Sequence, residues 1–223
     1  MEYVEIARAE SERGELVLRE RRDEDAPTVL ELRANGVFVM DTVETTTERA
    51  LANEALRLVA EPREVLVGGL GLGFTMHEVL ADPRVERCTV VEIEQALVDW
   101  MRDGTIAHGP KMLADDRLDI VVADVAAALG EAVDASYDLV LLDVDNGPGY
   151  LVHDNNAAIY REPFLGRAQR ALREGGVLVI WSADRSPALA EAMRAVFGDA
   201  EARAYDVRLQ DRAEQYWLHV ARR

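Results

Sequence analysis

A chain of 223 residues, 49% of them hydrophobic, has room for one α/β domain with a full core and a small appendage. Its 42 acidic against 25 basic residues leave a net charge of −17, which argues against duplex nucleic acid as a partner, since that needs a basic patch. No apolar run approaches the ~20 residues of a membrane span, and the start Met1-Glu2-Tyr3-Val4-Glu5 lacks the basic-then-apolar layout of a signal peptide, so a cytoplasmic protein without membrane contact is expected.

The first forty-odd residues alternate in polarity. Tyr3–Arg8, Glu15–Arg19, Thr28–Leu32 and Gly36–Met40 read as short antiparallel strands, with a turn over Asp23–Pro27. Asn35-Gly36 is a strong hairpin signal. This β unit, residues 1–45, is too thin to stand alone and should pack on the larger domain, residues 46–223, or on a partner subunit. From Thr46 the period changes to a helical stripe, Ala50, Leu51, Ala55, Leu58 and Val59, stopped by Pro62. Strands at 65–69, 88–92, 118–123, 138–143 and 177–181 then alternate with helices at 74–81, 95–102, 125–130, 162–173 and 187–197. The helix ending at 173 is taken to be closed by Gly175-Gly176. Residues 202–208 and 215–220 form a final hairpin. The pattern predicts a doubly wound, mostly parallel seven-stranded sheet of the methyltransferase type, Rossmann-like, beside the small N-terminal antiparallel β unit.

The densest signal is Val65-Leu66-Val67-Gly68-Gly69-Leu70-Gly71-Leu72-Gly73-Phe74, a buried strand running into a glycine-rich turn and then a helix. Such a turn presents backbone amides at the carboxyl end of a strand, where α/β sheets bind ligands. The dinucleotide spacing fails, because Phe74 or Met76 stands where the third glycine belongs. No Gly-Lys-Ser/Thr follows, which excludes a P-loop; Lys111, the only lysine, is far away. Gly69-x-Gly71-x-Gly73 fits the closer spacing of S-adenosylmethionine enzymes. A second strand, Cys88-Thr89-Val90-Val91, ends in Glu92, placed to accept from both ribose hydroxyls. Cys88, the single cysteine, reads as a buried thiol, so no disulfide or thiolate metal site forms within one chain. The four histidines offer no ligand spacing, and no metal is expected.

Further carboxylates fall at predicted strand ends. Asp124 can accept from an adenine amino group, and Asp143 stands where a transferred group should sit, followed by Asp145 and Asn146. Each alone could be an N-cap. Glu92, Asp124, Asp143 and Asp145 on one rim would repel unless cations or hydrogen-bond donors offset them. Tyr160 and His153 lie on a long segment, 147–161, that could close as a lid.

From Val65 to Ser182 the sequence resembles the spermidine synthase family, which shares the class I S-adenosylmethionine methyltransferase fold. The likeness runs through the glycine loop 68–73, Val90-Val91-Glu92-Ile93-Glu94, Ala123-Asp124, Tyr137–Asp143 and Ala171–Leu178. It implies an S-adenosylmethionine-type cofactor held by Gly69, Gly71, Gly73, Glu92, Asp124 and Asp143, a small-molecule acceptor and a homodimer. Departures from the family pattern fall on the chemistry. The loop aspartate that holds the amine of decarboxylated S-adenosylmethionine is Gly71 here, the family's Asp-x-x-Asp reads Asp143-Val144-Asp145-Asn146, and its Tyr-His-Glu is absent between Thr45 and Asn53.

The expected reaction is therefore methyl transfer from S-adenosylmethionine to a small, possibly amine, acceptor. Asp143, Asp145 and Tyr160 are the expected catalytic residues, and Asp145, Asn146 and His153 the expected acceptor ligands. Aminopropyl transfer from decarboxylated S-adenosylmethionine is the alternative, and a cofactor-binding protein without turnover the second.

Overall fold

The computed structural model describes residues 2–144, 147–149, 151, 154–209 and 212–223. Strands β1 (Glu2–Ser11), β2 (Gly14–Asp23), β3 (Ala26–Ala34) and β4 (Val37–Asp41) form an antiparallel sheet in chain order. Asn35 (φ 51°) and Gly36 (φ 76°) both adopt the left-handed geometry of a type I′ turn, as the Asn-Gly pair demands. The Asn35 side chain also accepts from Glu15 N at 2.9 Å and donates to Arg13 O at 3.1 Å, which ties the β1–β2 turn to the β3–β4 turn. One face of the sheet carries Leu16, Leu18, Leu32 and Met40 into the main core. Arg19 and Arg33 bracket the buried Glu31, at 2.6 and 2.8 Å.

The larger sheet grows from alternating elements. After α1 (Thr46–Leu58) come β5 (Glu64–Gly68), α2 (Phe74–Ala81), β6 (Arg87–Glu92), α3 (Gln95–Asp103), α4 (Gly109–Met112), β7 (Leu118–Val122), α5 (Val125–Glu131) and β8 (Tyr137–Leu142). A 3-10 helix (Asp154–Tyr160), α6 (Glu162–Ala171), β9 (Leu172–Ser182), α7 (Pro187–Phe197), β10 (Glu201–Leu209) and β11 (Arg212–Arg222) complete it. The strand order is β10-β11-β9-β8-β5-β6-β7, parallel from β9 to β7, with β11 antiparallel to both of its neighbours. This is the doubly wound, seven-stranded fold expected. Parallel strands buried on both faces need continuous apolar runs, and Val65-Leu66-Val67 and Leu139–Leu142 supply them. One face packs with α1, α2, α3 and the N-terminal sheet, the other with α5, α6 and α7. Chain order reverses at β5, between β6 and β8, so the crevice for a ligand opens beyond its carboxyl end.

Two local readings are corrected. Helix α6 stops at Ala171, and Gly175-Gly176 belong to β9 rather than to a helix cap. Tyr137 pairs with Leu172 but Leu139 with Val177, so residues 173–176 bulge from the ladder, and Gly175 takes φ 78° there. Helix α4, with Pro110 near its start, was not anticipated. No helix among the described residues is long and apolar enough to cross a membrane.

Candidate active site

The glycine loop forms because strand β5 must turn sharply into α2 while lying against the end of β8. Gly69 N donates to Val91 O at 2.9 Å and Asp143 N to Gly68 O at 2.8 Å, binding the ends of β5, β6 and β8 together. At Gly69, φ is 93° and a Cβ would run into the Asp143 carbonyl, so only glycine fits. A Cβ at Gly71 would press on the Met40 sulfur, which accepts from Leu72 N at 3.2 Å. Gly69 and Gly71 line the cavity beyond the sheet. Gly73 begins α2 against Met101 and Met112 and is not among the residues lining that cavity.

Glu92 is only 6% exposed. Its Oε2 accepts from Leu70 N and its Oε1 from Glu94 N, each at 2.8 Å, so the carboxylate holds the glycine loop to the end of β6. Burial raises its pKa, and these amides lower it only in part. Each oxygen keeps a further lone pair that a ribose hydroxyl can use. Asp124 caps α5, with Oδ1 accepting from Ala126 N at 2.6 Å and Ala127 N at 3.4 Å, while it also lines the cavity.

Asp143 follows β8. Its Oδ2 accepts from Thr75 Oγ1 at 2.9 Å, and the same hydroxyl lies 3.4 Å from the Glu48 carbonyl. That contact brings in the first turn of α1. Glu48, absent from the sequence-based site, lines the same cavity beside Asp143 and accepts from Thr47 Oγ1 at 3.0 Å. Burial first, then the Asp143 charge, push Glu48 up to about 7; burial pushes Asp143 up to about 6 against the Thr75 hydrogen bond. The two carboxyls titrate as a pair near neutrality.

The cavity holds about 280 Å³. Leu16, Leu32 and Met40 of the N-terminal sheet wall one side, and Trp181 and Tyr216 another, their rings 5.1 Å apart and edge to face. The Trp181 indole nitrogen is buried without a partner among the described residues. Glu44, Glu48, Glu92, Glu94, Asp124 and Asp143 all reach this space. Arg13 is the one basic side chain among the described lining residues. It sits 3.5 Å from Glu94 and donates to Asn156 Oδ1 at 3.1 Å, so the β1–β2 turn straps across the Glu94 end of the cavity.

Glu92, Asp124 and Asp143, expected from sequence, therefore meet in one cavity with Gly69 and Gly71. Tyr160 does not join them: it is packed into the core beneath α6 and α7 and lines a separate depression with Pro148, Arg161 and Ser186. Its placement does not support the catalytic role expected for it. Asp145, Asn146 and His153 lie outside the described residues. The sequence reading missed Glu44, Glu48, Arg13 and Tyr216. Glu44 and Glu48, four residues apart at the entrance to α1, are the one signal that could have drawn attention. Among the described residues no cluster of three or more His, Cys, Asp or Glu is arranged to hold a metal ion.

Comparison with known proteins places the chain. The family model described as "Spermine/spermidine synthase domain" matches residues 44–196. Polyamine aminopropyltransferase 2 of Pseudomonas aeruginosa is 32% identical over 165 residues, 69% of this chain and 45% of that protein. Putrescine N-methyltransferase 3 of Nicotiana tabacum is 31% identical over 122 residues, 54% of this chain and 30% of that protein. The chain thus spans less than half the length of these curated relatives. A crystal structure of spermidine synthase in complex with the transition state analogue AdoDATO superposes with a TM-score of 0.81 at 21% identity, over 98% of this chain and 73% of that one. At that identity the likeness concerns the fold.

Proposed function

Because the chain belongs to the spermine/spermidine synthase family, we propose that it transfers an aminopropyl group from decarboxylated S-adenosylmethionine to a small amine. The observation that carries this reading is the charge of the cavity. Seven acidic residues line it, Glu15 among them, and the one basic side chain among its described residues, Arg13, is engaged by Glu94 and Asn156. A donor with a sulfonium and a bare ammonium answers that charge; a donor bearing its own carboxylate is repelled by it.

This reverses the preference drawn from Gly71. The loop lacks an acid, yet Glu48 enters the same cavity from α1 and supplies negative charge from another element. The residues fit an adenosyl group: two cavity-lining glycines where a side chain would collide, Glu92 with lone pairs at the ribose position, and Asp124 beyond it.

When bound, the adenosyl sulfonium supplies an electrophilic carbon and a leaving group that departs as a neutral thioether, so no general acid is required. The chain's own task is to align the amine, exclude water and take up a proton. In this reading Asp143 takes that last role, supported by its hydrogen bond from Thr75 at the junction of the glycine loop and α1. Trp181 and Tyr216 offer an apolar wall for a carbon chain.

A second reading, methyl transfer from S-adenosylmethionine to a diamine, is favoured by Gly71 and by the putrescine N-methyltransferase relatives. Incubating the purified chain with 1,4-diaminobutane and each donor separates the two. Release of methylthioadenosine is the expected result; release of S-adenosylhomocysteine alone would establish methyl transfer instead.

A further inference from the structure

We propose that Arg13, in the β1–β2 turn, is a clasp that closes one end of the cavity over a bound adenosyl group and sets how long that ligand stays. The inference rests on the functional reading above for the ligand and goes beyond it to the control of release.

The turn is built to deliver this side chain. Gly14 takes φ 109°, and Asn35 Oδ1 occupies the space that a Cβ there would fill. That close approach lets the Asn35 side chain bond both Arg13 O and Glu15 N, which fixes the turn against the β3–β4 turn. Arg13 N also donates to Ser11 Oγ at 3.1 Å.

Two arms of the turn then cross to the larger sheet and meet on one residue. Ser11 Oγ donates to Glu94 Oε1 at 3.3 Å, and the Arg13 guanidinium lies 3.5 Å from the same oxygen. The guanidinium donates as well to Asn156 Oδ1 at 3.1 Å, on the 3-10 helix between β8 and α6. Glu94 and Asn156 line the cavity from different elements, so Arg13 spans from the end of β6 to that helix. A planar guanidinium holds two acceptors at once better than a point-like ammonium does. Glu94 N is the donor to Glu92 Oε1, so the clasp closes on the residue that steadies the carboxylate at the ribose position.

The strength of these contacts suits opening and closing. The Arg13 and Glu94 side chains are 24% and 20% exposed, and an ion pair open to water contributes little to the fold. The sheet behind the turn is held separately, by Leu16, Leu18 and Leu32 in the core. The turn can therefore let go of Glu94 and Asn156 while that sheet stays folded.

Stopped-flow binding of methylthioadenosine to the full chain, followed by the fluorescence of its tryptophans, tests the clasp. The proteins are wild type, Arg13→Ala, Arg13→Lys, Glu94→Gln and the variant carrying both Arg13→Ala and Glu94→Gln. Dissociation should quicken about threefold to tenfold in Arg13→Ala, as for a lost hydrogen bond to a charged group, and association should be no slower. Arg13→Lys should recover part of the loss. The double variant should release the ligand no faster than Arg13→Ala, because the two changes remove one shared interaction. Added salt should quicken release from wild type and leave Arg13→Ala unmoved. In the ligand-free chain, hydrogen exchange over residues 11–15 should be faster in Arg13→Ala. Unchanged dissociation in Arg13→Ala, or additive effects in the double variant, would overturn the proposal. A wild-type chain that binds no methylthioadenosine would defeat the functional reading and the ligand's part here, while hydrogen exchange would still decide whether Arg13 holds the turn.

Discussion

At the scale of single residues, charge placement governs the site. Glu92 fastens the glycine loop, because both its oxygens accept from amides of elements that must meet at the crevice, and in the proposed function the same carboxylate receives the ribose. Glu92→Gln keeps the shape but turns one acceptor into a donor facing an amide N–H, at a cost of about 1–3 kcal/mol. Methylthioadenosine affinity should therefore fall, by about tenfold or more in titration, and unchanged affinity would remove Glu92 from the ribose position. Glu48 gives a stability test of opposite sign. Its pKa in the folded chain is raised from 4.5 to about 7, so its contribution is fully present below pH 4.5 and is lost as pH rises through 7. In the ligand-free protein, Glu48→Gln should then be more stable than wild type at pH 8, by about 1–3 kcal/mol, with the two converging near pH 4.5. Equal thermal midpoints at pH 8 would contradict the raised pKa of this half-buried carboxyl. Glu48 was not singled out in the sequence for a physical reason: an acid in the first turn of a helix is satisfied by the helix dipole alone, so its four-residue spacing from Glu44 is a weak signal.

At the scale of elements, the strand–loop–helix unit around Gly69 was the most legible part of the chain. Its legibility has a cause, since only a residue without Cβ can pass under the Asp143 carbonyl at φ 93°. Gly69→Ala adds both backbone strain and a backbone collision, and should cost about 2 kcal/mol or more. The thermal midpoint should fall and adenosyl binding should be lost; a variant with wild-type affinity would show that the loop does not hold the ligand. Asp124 was legible only as an acid at a strand end, and its capping bonds to α5 show why such an acid is needed whatever binds there. The β9 boundary was misread because Gly175-Gly176 resembles a helix stop. What the glycines permit is a bulge, closed by Gly175 N to Arg223 O and Arg223 N to Gly176 O, both 2.9 Å. That pairing joins segments 48 residues apart, which no local pattern reveals.

For the whole molecule, strand alternation was enough to predict the doubly wound sheet, since buried parallel strands and amphipathic helices leave distinct periodic traces. The site was legible only where it rests on that sheet: Gly69, Gly71, Glu92, Asp124 and Asp143 all lie at strand ends. Glu48, Arg13 and Tyr216 come from a helix, a hairpin turn and the last strand, and tertiary packing alone assembles them into one cavity. Those additions change the expected chemistry, because Glu48 restores the negative charge that Gly71 lacks and favours a donor without a carboxylate. The most direct test is calorimetric titration of the full chain with decarboxylated and intact S-adenosylmethionine under the same conditions. The decarboxylated form should bind at least about tenfold more tightly, the equivalent of roughly 1.4 kcal/mol. Tighter binding of the intact form would contradict the assignment of this cavity to a cationic aminopropyl donor.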